Sequence, residues 1–111
     1  MDYSLDRRAD AVVIAVRGRV DESSWVAFGV GLSEAIEQAR NAGLKRVIID
    51  LAALDYMSSR GLRVLTVAKR EGEDAGVIVS LASANEVMRE ILAISRYDKL
   101  FAIHETVEAA G

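Results

Sequence analysis

The stretch that most constrains this chain is LKRVIIDLAALDYMSSRGLRVLTVAKRE, residues 44–71. It begins as a buried strand around Val47, Ile48 and Ile49 and passes through a short loop that ends at Ser58-Ser59. It then restarts as a helix carrying Leu62, Leu65 and Ala68 on one side. A strand that hands over directly to an amphipathic helix is the unit of a mainly parallel, helix-covered sheet. It also leaves two hydroxyls at a helix N-terminus. There, unpaired backbone N–H groups and the helix dipole favour negative charge.

The flanking segments continue the alternation. Tyr3 and Leu5 alternate with polar neighbours as a short edge strand, with a turn near Ala9-Asp10. AVVIAVRG, residues 11–18, is an almost unbroken apolar run rich in β-branched residues, as expected of a strand buried on both faces. Arg17 and Arg19 beside Gly18 mark its exit into solvent. Asp21, Ser23 and Ser24 are capping types ahead of a stripe formed by Trp25, Phe28, Leu32, Ile36 and Ala39. That spacing predicts a helix over residues 24–42 with Gly43 as its stop. Gly29 and Gly31 inside it each cost about 1 kcal/mol relative to alanine, so they serve either close packing or mobility.

After the central block, residues 71–76 read as a charged turn and residues 76–83 as the next strand. Asn85 or Ser83 caps a third helix, its inward side formed by Val87, Ile91 and Leu92 with Met88 or Ile94 at the margin. Leu100, Phe101 and Ile103 make a last short strand, and residues 105–110 one helical turn. The expected order is β-β-α-β-α-β-α-β-α: an α/β fold whose mostly parallel sheet has an antiparallel strand at its N-terminal edge, with about four helices.

The 111 residues are expected to form one domain, 1–111. With no cysteine and one histidine, His104, thiolate or multi-imidazole metal sites have no ligands. The net charge of −3, with no basic block, argues against duplex nucleic acid as a partner. The polar start MDYSLDRRAD is unlike a signal peptide, and no apolar run reaches the roughly 20 residues of a membrane span. The expectation is a cytoplasmic protein. No phosphate-binding glycine-lysine loop, HExxH motif or serine with an evident histidine base is present, so no enzyme activity and no cofactor are expected. Asp50 and Asp55 raise the reading of a phosphorylated receiver domain. The acidic pair and the lysine which that chemistry needs on neighbouring strands are missing. Asp50 is expected to end its strand and Asp55 to lie in the turn.

Taken with VRGRVD (16–21), VIVSLAS (77–83) and KLFAI (99–103), the block VIIDLAALDYMSSRGLRVL resembles the STAS domain, and specifically the stand-alone bacterial anti-sigma-factor antagonists. The likeness covers almost the whole chain, and Ser-Ser-x-Gly-Leu is its most specific part. It implies binding to an anti-sigma factor that is also a serine kinase of the GHKL type, weakened by phosphorylation of a serine in the central block and restored by a PP2C-type phosphatase. Aligned on Gly61, the phosphoacceptor is Ser59, with Ser58 as second choice. Asp21, Ser23, Ser58, Ser59, Arg60, Gly61 and Arg63 form the implied docking surface. A weak homodimer is a further association that the resemblance allows. Ser58 stands where many members have aspartate, and Arg60 where many have a small residue. Arg96-Tyr97 replaces a frequent Gly-Leu, so the third helix is expected to end differently. The alternative role within the family is a cytoplasmic accessory subunit of a membrane transporter.

Overall fold

The computed structural model describes residues 1–110. Strand β1 (Asp2–Arg8) runs antiparallel to β2 (Ala11–Val20), the longest strand. From β2 the sheet continues in parallel through β3 (Arg46–Asp50), β5 (Ile78–Ala82) and the two-residue β6 (Ile103–His104). Helix α1 (Trp25–Ala42) joins β2 to β3, α2 (Ser59–Ala75) precedes β5, and α3 (Glu86–Ile94) and α4 (Val107–Ala110) flank β6. The fold class, the antiparallel first pair and the four helices agree with the reading of the sequence.

Both faces of β2 are buried, as its composition requires. Val12, Ile14, Val47, Ile49 and Leu81 point into the main core with Phe28 and Leu32 of α1 and Leu65 of α2. Ala11, Val13 and Ile48 point the other way, into a small cluster closed by Val107 and Ala110 of α4. Period-two alternation along β2 therefore feeds two layers.

Several local expectations are corrected. The strand does not leave the sheet at Arg17 and Arg19. It bulges at Gly18 (φ 91°) and continues to Val20. This extension pairs in parallel with β4 (Leu54–Met57), a strand where the sequence predicts a loop. Four residues with a single buried end at either side, Leu54 and Met57, give little periodic signal; the pairing partner supplies the strand. Asp55 consequently lies exposed on β4 rather than in a turn, whereas Asp50 does end β3, its Oδ1 accepting from Ala52 N–H at 3.0 Å. Residues 71–75 are not a turn. Helix α2 runs on to Ala75, and Gly72 within it is buried where a Cβ would lie 2.7 Å from the Val77 carbonyl oxygen. Gly76, in the left-handed region, ends it.

Met88 and Leu92, not Val87, form the buried side of α3, and Val87 and Ile94 are 52% and 79% exposed. Asn85 caps this helix: its Oδ1 accepts from Met88 N–H, and its Nδ2 donates to the Leu54 carbonyl, tying α3 to β4. The helix ends at Ile94 with Ser95 as its C-cap, and Arg96 in the left-handed region leads into a 3-10 turn, Tyr97–Lys99. Leu100 and Phe101 therefore precede the last strand rather than belonging to it. Within α1, Gly31 is a packing residue, since a Cβ there would lie 2.9 Å from the Tyr3 ring.

Candidate functional site

The β2 extension and β4 end side by side, and Ser58 N–H donates to the Val20 carbonyl at 2.8 Å. That bond places the loop after β2 beside the start of α2. The N-cap of α2 is Ser58: its backbone is extended (φ −76°, ψ 172°) and its Oγ accepts from Gly61 N–H at 3.3 Å. Ser59 is the first helical residue, exposed, and its hydroxyl makes no hydrogen bond among the described residues. The two adjacent serines thus have separate jobs. Removing the cap with Ser58→Ala is expected to cost about 0.5–2 kcal/mol, read as a lower melting temperature.

Gly61, which the resemblance places on the docking surface, is buried. It lies under the first turn of α2 against Met57 and Val20. The glycine of Ser-Ser-x-Gly seats the helix so that the serines project.

In the loop after β2, the Asp21 carboxylate accepts from Ser23 N–H (3.0 Å) and Ser23 Oγ (2.8 Å). Ser24 Oγ accepts from Asp21 N–H at 2.9 Å and lies 3.0 Å from the Arg19 carbonyl and 3.1 Å from Asp21 Oδ1. Ser24 precedes α1 but makes no side-chain cap bond to it; its hydroxyl is buried in the loop instead. The bonds from Ser23, then those from Ser24, hold the Asp21 pKa below its ordinary 3.8. A carboxylate depressed in this way adds stability at pH values above the unfolded pKa, and loses it as pH falls through the folded one. Asp21→Asn is therefore expected to flatten the acid limb of melting temperature against pH below about 4, compared with wild type.

Arg60 bends back over this loop, with Nε 3.5 Å from Glu22 Oε2 and its guanidinium 5.2 Å from the Trp25 ring centroid. Arg63, one turn along α2, is exposed and makes no ion pair among the described residues. Arg19 similarly covers Tyr56 at 4.5 Å. The site is thus a serine on a capped helix end beside a hydrogen-bonded acidic loop that Arg60 covers, with Arg63 one turn further along α2. Ser23, Ser59, Arg60 and Arg63 are exposed, Asp21 and Ser58 half-buried. The stacking of Arg60 on Trp25 had no signature in the sequence, where Trp25 read as core.

These features define a small α/β domain with a mixed sheet and a serine-bearing helix end at the strand termini. The STAS domain model matches residues 2–110, and the chain belongs to the STAS family. The protein BtrV of Bordetella bronchiseptica, which bears the name "Putative anti-sigma factor antagonist", is 31% identical over 112 residues, covering 100% of this chain and 92% of its own. Among solved structures, the fold is shared with a Planctomyces limnophilus anti-sigma-factor antagonist (STAS) domain protein (TM-score 0.82, 18% identity, 97% of this chain and 92% of the other). It is shared too with unphosphorylated SpoIIAA, an anti-sigma factor antagonist (TM-score 0.76, 22% identity, 98% and 92%). SpoIIAA, a Bacillus cell fate determinant, also has a structure in its phosphorylated form, to which this chain is similar at TM-score 0.68 and 23% identity over 98% of this chain and 96% of the other. No helix among the described residues is long and apolar enough to cross a membrane.

Proposed function

We propose that this chain is an anti-sigma-factor antagonist, a binding module without chemistry of its own. Its partner is an anti-sigma factor that is also a GHKL-type serine kinase, docked on the end of α2 and the loop after β2. Phosphorylation of Ser59 blocks the association and a PP2C-type phosphatase restores it. The observation that carries this reading is the division of labour between the serines: Ser58 Oγ is occupied by the cap, while Ser59 is exposed at the first helical position and its hydroxyl makes no hydrogen bond among the described residues. The naming of BtrV as an anti-sigma factor antagonist supports it at the level of the family.

The test is a pull-down from native lysate with wild type and Ser59→Asp, with partners identified by mass spectrometry. Wild type is expected to recover a small ATP-binding serine kinase that the variant loses. Recovery of transporter subunits by both chains would overturn the reading in favour of an accessory transporter role.

A further inference from the structure

A groove of about 750 Å³ runs between α1 and α2 and opens beside Arg60. Its rims are Val26 and Val30 on α1 and Val67 on α2, each 58–59% exposed, and Val64 lies deeper on its α2 side. Val26 and Val30 are four residues apart, and Val64 and Val67 three, so each pair forms a ridge along its own helix. Solvent-facing valines are poor helix formers and gain nothing from water. Gly29 lies between the α1 pair. Gly31 is required by the Tyr3 ring, but Gly29 has no such constraint: a Cβ there would sit 3.6 Å from Val64, an ordinary contact. Glycine is a poor helix former, and what the missing side chain at Gly29 leaves is depth in the groove.

The two ends differ in charge. Arg60 and Arg63 stand at the Ser59 end, and Glu71, held by Ser33 Oγ at 2.9 Å, stands at the other. From Arg60 to Glu71 is about 16 Å at 1.5 Å per residue, three turns of helix. We infer that the groove receives an amphipathic helix of the anti-sigma factor, about three turns long. Its apolar face lies on the valine ridges, and its C-terminal end, with an acidic side chain, meets Arg63. That orientation sets the negative end of the incoming helix dipole against the arginines and its positive end against Glu71. The groove is continuous with the serine site through Arg60 and Trp25, so one partner can cover both. The inference rests on the proposed function and extends the contact beyond the helix end.

The experiment places the photo-crosslinker p-benzoylphenylalanine, one position at a time, at Val30, Val67, Ser23 and, as background, exposed Ile94 on α3. Each full chain is expressed in its native cell, and crosslinked peptides are sequenced. Val30 and Val67 are expected to join the same ATP-binding anti-sigma factor as Ser23, through a segment with apolar residues at helical spacing and an Asp or Glu near its C-terminal end. Ser23 capturing that protein while Val30 and Val67 do not would overturn the groove inference and leave the proposed function standing. Groove probes joined to a second copy of this chain, or to a small amphiphile, would overturn it as well. Failure of every position to capture an anti-sigma factor would remove both. Gly29→Leu, which fills the groove without displacing backbone, is expected to weaken binding of the captured partner at least tenfold with an unreduced melting temperature; unchanged binding would overturn the inference.

Discussion

Ser59→Asp is expected to keep its fold, melting within about 1 kcal/mol of wild type, and to bind the anti-sigma factor about a hundredfold more weakly. The first half follows from position. A negative charge in the first turn of a helix is stabilised by roughly 0.3–1 kcal/mol, and Arg63 stands four residues on, where an opposite charge helps a little more. The second half follows from the partner's side. A charge enclosed in an interface without a counter-ion costs several kcal/mol, and each 1.4 kcal/mol is tenfold in affinity. Aspartate brings one charge. A phosphoryl group brings about −1.5 to −2, so the phosphorylated chain is expected to lose nearer a thousandfold, about 4 kcal/mol. Isothermal calorimetry against the purified partner, with melting curves for each chain, separates the two halves. An aspartate variant that binds as well as wild type would show that Ser59 lies outside the interface.

The same comparison distinguishes the serines. A group attached to Ser58 Oγ would displace the bond from Gly61 N–H and so disturb the cap, whereas Ser59 makes no such bond. Modification at Ser58 is therefore expected to lower the melting temperature as well as the affinity. Modification at Ser59 is expected to change affinity alone, which is the behaviour a reversible switch requires.

The order of strands and helices was legible because β2, β3 and β5 are apolar runs and α1 carries a three-to-four-residue stripe. What escaped the sequence was set by contacts distant in the chain. β4 is a strand because β2 bulges at Gly18 and reaches it, and nothing local in Leu54–Met57 announces this. The end of α2 was hidden by its own charged residues, Glu71, Glu73 and Asp74, which are solvent-facing on a helix and look like a turn in isolation. On α3 the apolar residues are spread around more of the helix than one side buries, so the choice of Met88 over Val87 awaited the position of β4 and the Asn85–Leu54 bond. At the site, the serine pair and the loop Asp21–Ser24 were legible as neighbours, since a parallel sheet brings those ends together. Which serine caps was not, because that depends on one backbone angle.

Gly61→Ala is expected to destabilise the fold by about 1–3 kcal/mol, the range for overpacking a filled core. A Cβ at this position would lie 2.5 Å from Met57 Cγ and 2.7 Å from Val20 Cγ1. Met57 and Val20 are 2% and 0% exposed, so neither side chain has solvent to move into. Alanine would gain about 1 kcal/mol of helix propensity over glycine, and the clash must exceed this for the net sign to be a loss. Gly29→Ala in α1 supplies the control: its Cβ meets Val64 at 3.6 Å without a clash, so propensity alone acts and the melting temperature is expected to rise. Opposite signs for the same substitution in the two helices would show that contact, not glycine as such, decides. The Gly61 variant has a second consequence. Relief of the clash requires the first turn of α2 to move away from β2 and β4, carrying the Ser58 cap and Ser59 with it. Partner binding is then expected to weaken along with stability, whereas Ser59→Asp weakens binding alone. A Gly61→Ala chain as stable as wild type would mean that α2 is not seated on Val20 and Met57, and that something else sets the projection of the serines.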